Sequence, residues 1–117
     1  MKKYTVFIKA LPTLNESERA SLSTDIAPLL KKYSATNFGL TEAEIEIGDT
    51  FQDSFTAWNE FKAAIKDRAL FIWYRHENEG ITIASGQELF SEQLSSALQN
   101  SPHSRLQTVR DAIKSIL

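Results

Sequence analysis

The sequence predicts an α/β (α+β) fold in which helices pack on a single mixed β-sheet of about four strands. Two observations lead to this prediction. Short segments with the apolar patterning of strands alternate with longer segments whose apolar residues recur every three or four positions, as in amphipathic helices. The 117 residues, 42% hydrophobic and 24% charged, also have the length and composition of one globular domain. We therefore expect a single compact domain over residues 1–117, with the order β-α-β-α-β-β-α-α.

The first strand and helix are indicated by alternation and by a capping signal. Residues Lys3 to Leu11 alternate between two faces, which favours a strand. Asn15, followed three residues later by Glu18, has the spacing of a helix capping box. Pro28 lies inside the apolar stripe of this helix, where it removes a backbone donor. We therefore expect a kink, or two short helices with a break near residues 23–24.

The middle of the chain predicts a half-exposed strand, a helix and a buried strand. Residues Glu42 to Ile47 alternate between acidic and apolar side chains, and residues 48–50 form a turn. The following helix carries an apolar stripe at helical spacing, consisting of Phe51, Phe55, Trp58, Phe61 and Ile65. Residues Ala69 to Tyr74 are apolar on both faces, as in a central strand, and we expect Trp73 to pack against Trp58.

A hairpin and two helices complete the predicted order. Residues 77–80 read as a turn that leads into a strand over Ile81 to Ala84. Ser85 and Glu88 have the spacing of a second capping box. Ser101 and Pro102 are expected to begin the last helix, with the serine as N-cap and the proline in the first turn. The apolar side of that helix consists of Leu106, Val109, Ile113, Ile116 and Leu117.

Several classes of function are disfavoured by composition. The chain has no cysteine, which excludes thiolate zinc sites, iron–sulfur clusters and thiol catalysis. Its few glycines are too scattered for a phosphate-binding loop, and its two histidines lack a standard zinc spacing. The net charge of −2 disfavours nucleic-acid binding, although the basic residues of the first strand and helix could still contact phosphate. We expect a protein without cofactor, metal or catalytic motif, located in the cytoplasm and not in a membrane, because no apolar segment is long enough to span one.

Charge is unevenly distributed along the sequence. No Lys or Arg occurs between Tyr33 and Phe61. The acidic residues of that segment are Glu42, Glu44, Glu46, Asp49, Asp53 and Glu60, and we predict that they form a partner-binding surface. The basic residues of the first strand and helix are Lys2, Lys3, Lys9, Lys31 and Lys32. If the acidic strand lies at a sheet edge, its outer face forms an acidic patch that attracts a basic partner. The same charges also suit a solvated edge strand and helix termini.

Three functional hypotheses remain open. The first is a small protein-binding domain whose acidic surface covers a basic protein partner such as a toxin or nuclease, in the manner of immunity proteins and antitoxins. The second is a small enzyme or regulatory subunit with a site near His76, where the carboxylates of Glu77 and Glu79 would assist the imidazole as a general base. The third is an obligate homo-oligomer in contact through the C-terminal helix. The oligomeric state and the identity of the partner do not follow from the sequence.

Overall fold

A four-stranded antiparallel sheet forms the centre of the computed structural model. The structure describes residues 1–36, 39, 41–84 and 88–116, apart from the side chains of residues 88, 89 and 116. The elements are β1 (Lys2–Ala10), α1 (Glu16–Lys32), β2 (Glu42–Ile47), α2 (Phe51–Ile65), β3 (Ala69–Arg75), β4 (Gly80–Ile83), α3 (Glu88–Asn100) and α4 (Arg105–Ile116). The element order and the α+β class predicted from the sequence are confirmed.

The strands lie in the order β2-β1-β3-β4, so β1 and β3 are central and β2 and β4 form the two edges. We predicted a mixed sheet, and in the described residues all three strand pairings are antiparallel. Lys3 lies opposite Glu46 in the β1–β2 pair, and Thr5 lies opposite both Glu44 and Tyr74. Because side chains alternate along a strand, this register decides which residues meet on each face of the sheet.

Helices cover both faces of the sheet. On the front face, α1 and α2 pack over a cluster that includes Val6, Ile45, Phe61 and Phe71. On the rear face, α3 and α4 pack over a cluster that includes Phe7, Ile72, Leu94 and Val109. The predicted contact between Trp58 and Trp73 is confirmed, since their ring centroids are 5.7 Å apart and the rings are nearly perpendicular. The three layers explain why β3 is buried on both sides.

Helix α1 is one unbroken helix, so the predicted break near residues 23–24 is wrong. The capping box of Asn15 and Glu18 is present as predicted. Pro28 deprives the carbonyl of residue 24 of its intrahelical donor. Both residues 24 and 28 are exposed, so water can bond that carbonyl in place of the missing N–H group, and the helix continues through the proline.

Helix α4 begins later than the sequence indicated. The Ser104 hydroxyl oxygen accepts a hydrogen bond from the Gln107 N–H at 3.2 Å, which is the bond that an N-cap residue makes. The Ser101 hydroxyl oxygen instead accepts from the His103 N–H at 3.1 Å, within the turn between α3 and α4. The predicted N-cap at Ser101 is therefore wrong. The other predicted N-cap, Ser85, lies outside the described residues, as does Leu117.

The outer edge of β2 is covered by the backbone of the chain itself. Thr36 and Glu44 exchange two backbone hydrogen bonds of 2.8 and 2.9 Å. The Glu46 N–H donates to the Tyr33 carbonyl at 3.2 Å, and the Gly39 N–H donates to the Glu42 carbonyl at 2.8 Å. Strand β2 is thus an edge strand, as the acidic-patch hypothesis required, but its backbone is already paired. Among the described residues, no helix has the length and hydropathy needed to cross a membrane.

Candidate functional site

The three glutamates of β2 lie on the rear face of the sheet. The single Nε–H of Arg110 on α4 is shared between the two carboxylate oxygens of Glu42, at 2.9 and 3.1 Å, and both side chains are only partly exposed. Glu44 is partly buried opposite Thr5, whereas Glu46 is exposed opposite Lys3. Of the three, Glu46 is the one that presents its carboxylate openly to solvent.

The two predicted aspartates lie at the corner where β2 leads into α2. The Asp49 carboxylate forms an ion pair of 3.1 Å with the amine of Met1, and both side chains are well exposed. Asp53 completes a capping box with Thr50, since the Thr50 N–H donates to the Asp53 carboxylate and the Thr50 hydroxyl accepts from the Asp53 N–H. Negative charge in a first helical turn is favourable. Asp49, Asp53 and Glu46 therefore lie near one end of the sheet.

Glu60 does not join this group. It lies on α2, which packs on the front face, and its carboxylate accepts hydrogen bonds of 2.8 Å from the Lys32 ammonium and from the Tyr33 hydroxyl. The bond from Lys32 is the main cause that holds the pKa of Glu60 below its ordinary value. Burial, together with the hydrogen bond to Glu60, raises the pKa of Tyr33. Glu60 thus ties α2 to the end of α1.

The basic residues meet the acidic ones in three dimensions. Lys2 pairs with Glu77 at 3.0 Å, and Lys3 lies opposite Glu46 in the sheet. The Lys9 ammonium donates to the Ile113 carbonyl at 3.4 Å, near the C-terminal end of α4. Three of the six predicted acidic residues, Glu42, Asp49 and Glu60, have a cationic partner, so the segregation of charge along the sequence is partly neutralised in three dimensions.

The same corner carries an exposed cluster of large apolar side chains, which we call the aromatic corner and define as Met1, Phe51 and Phe55. These are the exposed large hydrophobic residues among those that the structure describes, with exposed fractions of 76%, 78% and 50%. The rings of Phe51 and Phe55 stack, with centroids 5.9 Å apart and an interplanar angle of 23°. The amine of Met1 reaches Asp49, two residues before Phe51.

Phe51 and Phe55 belong to the predicted apolar stripe of α2, but they lie outside the core, so their prediction as buried residues is wrong. The buried side of the helix is formed by Ala57, Phe61 and Ile65, with exposed fractions of 0–1%. At 100° per residue, Phe51 and Phe55 are displaced around the helix from that side. They also belong to the first turns of α2. Helical spacing thus identified the apolar stripe of α2, but it did not show that the first turns of this stripe lie outside the core.

The alternative site at His76 has different partners from those expected. The His76 Nε2 lies 2.7 Å from the hydroxyl of Thr5, a residue with no exposed surface. Glu77 pairs with Lys2, and the Glu79 carboxylate accepts from the Tyr74 hydroxyl at 3.3 Å. The imidazole is thus engaged by a buried hydroxyl and not by the two carboxylates that follow it in the sequence.

Burial is the main cause that lowers the pKa of His76 below its ordinary value. Lys3 and Arg110 lower it further, and Glu44 opposes them. A neutral imidazole can act as a general base, but Thr5 is its hydrogen-bond partner and cannot reach a substrate from the core. Within the described part of the chain, no group of three or more His, Asp or Glu residues is placed to hold a metal ion.

A cavity of about 340 Å³ lies between α1 and the β1–β2 pair on the front face. Its lining is mainly apolar and includes Val6, Leu22 and Ile26. The charged residues along it are already engaged, since the Arg19 guanidinium donates to the carbonyls of residues 11 and 14 and Glu42 binds Arg110. A ligand pocket usually combines apolar walls with polar groups free to orient the ligand, and this cavity lacks free charged groups in its described lining.

The chain gives no significant match to protein-family models, to curated proteins or to solved structures.

Proposed function

We propose that this protein is a small protein-binding domain that docks a basic protein partner on the aromatic corner and on the carboxylates of Glu46, Asp49 and Asp53 beside it. The observation that carries the proposal is the clustering of the exposed large apolar residues Met1, Phe51 and Phe55 at one corner. Exposed apolar patches rimmed by polar residues are typical of protein interaction sites.

The chemistry of the corner fits recognition of a protein. Aromatic side chains contribute a large share of the binding free energy at interfaces when they become buried against the partner. Phe51 and Phe55 are pre-stacked on a helix, so little side-chain freedom is lost on binding. The exposed carboxylates of Glu46, Asp49 and Asp53 lie at the same end of the sheet as the rings, which favours a partner of opposite charge.

This docking surface is narrower than the acidic surface predicted from the sequence. Glu42 and Glu60 already have cationic partners at 2.8–2.9 Å, and Glu44 is partly buried on the rear face. A protein that neutralises a basic toxin or nuclease, as immunity proteins and antitoxins do, is the biological role that we propose for such a surface. The proposal rests on the exposed rings and the carboxylates, and not on any catalytic group.

The test is capture of the partner from the native host, followed by measurement of its affinity with purified proteins. We expect a basic partner whose affinity falls with increasing salt and is lost in the double variant Glu46→Lys, Asp49→Lys and in Phe51→Ser. Glu92→Lys, an exposed reversal on α3, is the matched control and should bind normally. Unchanged affinity and salt dependence in the double variant, with circular dichroism showing a native fold, would contradict the proposal.

A further inference from the structure

The two edges of the sheet differ in whether their backbone groups are paired. Along β2, the residues whose backbone groups point away from the sheet are Glu42, Glu44 and Glu46. Each of them already forms a backbone hydrogen bond with the segment that precedes the strand. A strand from another molecule cannot add to this edge without displacing those bonds. The opposite edge is β4, a four-residue strand with the sequence Gly-Ile-Thr-Ile.

The outward-facing groups of β4 follow from its pairing with β3. The Ala84 N–H donates to the Phe71 carbonyl at 3.1 Å, which makes residues 71 and 84 a hydrogen-bonded pair. Such pairs alternate along an antiparallel ladder, so Thr82 also bonds inward and the N–H and C=O groups of Ile81 and Ile83 point away from the sheet. Within the part of the chain that the structure describes, no backbone group pairs with these four.

Apart from its short length, strand β4 lacks, in the described residues, the features that normally protect an edge. Edge strands are commonly protected by charged side chains, by proline or by a covering segment. The strand has no charge and no proline, and Thr82 is exposed on the front face. Ile81 and Ile83 project onto the rear face, where they are only partly buried against the cluster beneath α3 and α4.

We infer that β4 pairs antiparallel with β4 of a second copy of this chain, about a two-fold axis that passes beside Thr82. In that register, Ile81 lies opposite Ile83 of the second copy, and the two outward N–H groups and two outward carbonyls of each copy are all satisfied. Thr82 lies opposite Thr82 of the second copy as a non-hydrogen-bonded pair. The two sheets then form one continuous eight-stranded sheet.

The sequence of β4 favours a second copy over a different protein. The Ile-Thr-Ile pattern is symmetric about Thr82, so one copy offers the other the same donors, acceptors and side chains in reverse order. Because the strand is uncharged, two copies meet there without like charges directly opposite one another, which would be destabilising. The apolar residues of α4, by contrast, are already used within the chain, since Val109 and Ile113 are 0% and 2% exposed. The inference is independent of the docking surface proposed on α2.

A single cysteine tests the register, because the chain has none of its own. The Cα atoms of a non-hydrogen-bonded pair are about 4.5 Å apart, within the range of about 4.4–6.8 Å that a disulfide accepts. Thr82→Cys should therefore form a covalent dimer under mild oxidation. Once the non-covalent dimer is populated, the rate of cross-linking should rise little with further increases in protein concentration. Thr13→Cys, exposed in the turn before α1, is the matched control and should cross-link only through random collision.

Charge substitution at the same position gives an independent result. Analytical ultracentrifugation of the wild-type chain should give twice its mass of 13.2 kDa at high concentration. Thr82→Lys and Thr82→Glu should each sediment as monomers with native circular dichroism, and an equimolar mixture of the two should recover the dimer. A wild-type chain that stays monomeric, or a dimer that survives both substitutions, would overturn the inference. Equal cross-linking of Thr82→Cys and Thr13→Cys would do the same.

Discussion

Replacement of Phe51 by alanine tests whether the aromatic corner is exposed in solution. Full burial of a phenylalanine side chain contributes about 1.5–3 kcal/mol, and Phe51, at 78% exposed, has only about a fifth of its surface covered. The lost contacts are then worth about 0.3–0.6 kcal/mol on the same scale. Alanine is a better helix former than phenylalanine by several tenths of a kcal/mol, which offsets much of this loss. We expect the free energy of unfolding to change by less than about 0.5 kcal/mol.

The matched control lies on the same helix and has the same residue type. Phe61 is fully buried, with ring centroids 6.0 Å from those of Phe71 and Trp73. Phe61→Ala should therefore cost about 3–5 kcal/mol. Urea denaturation followed by fluorescence of Trp58 and Trp73 measures both variants. A loss above about 2 kcal/mol in Phe51→Ala would show that Phe51 is buried in solution and would refute our account of the corner.

Three further changes test individual contacts. Burial lowers the folded-state pKa of His76, so the unfolded chain takes up the proton at a higher pH than the folded chain does. The free energy of unfolding should therefore fall as the pH drops from about 6.5 through the folded-state pKa. His76→Gln should flatten this pH dependence, measured by urea denaturation, and an unchanged pH dependence would contradict the assignment. Arg110→Met should reduce the free energy of unfolding by about 0.5–1 kcal/mol, because it unpairs the Glu42 carboxylate. If the double variant Arg110→Met, Glu42→Gln costs the sum of the two single losses, the pair contributes nothing to stability. Ser104→Ala should reduce the free energy of unfolding by about 1 kcal/mol, because it removes the N-cap of α4. Ser101→Ala should reduce it clearly less. If thermal denaturation gave the reverse order, Ser101 would be the N-cap instead.

The fold was predictable where local patterns determine structure. The acidic and apolar alternation of residues 42–47 gave the bounds of β2, and the spacing of Asn15 and Glu18 gave the start of α1. These signals act between neighbours in the sequence. The misplaced start of α4 shows the limit of such reasoning, because Ser101 and Ser104 are both plausible caps and only the path of the chain between α3 and α4 decides between them.

The candidate site was predictable only in part, since it depends on contacts between distant residues. Glu42 and Arg110 are 68 residues apart, and Lys32 and Glu60 are 28 apart. Neither pair can be derived without the strand order and the positions of the helices. The exposure of Phe51 likewise depends on where α2 leaves the sheet, which the spacing of its apolar residues does not show.

The neutralisation of charge changes which residues should control partner binding. With Glu42 and Glu60 already paired, the carboxylates left beside the aromatic corner are few and well solvated. Exposed rim charges act mainly on the rate of encounter, whereas buried aromatic contacts act mainly on dissociation. Reversal of Glu46 should therefore slow association and reduce its salt dependence, while loss of the Phe51 ring should shorten the lifetime of the complex. If the acidic residues alone held the partner, loss of the Phe51 ring would leave the lifetime of the complex unchanged, and the exposed rings would have no part in recognition.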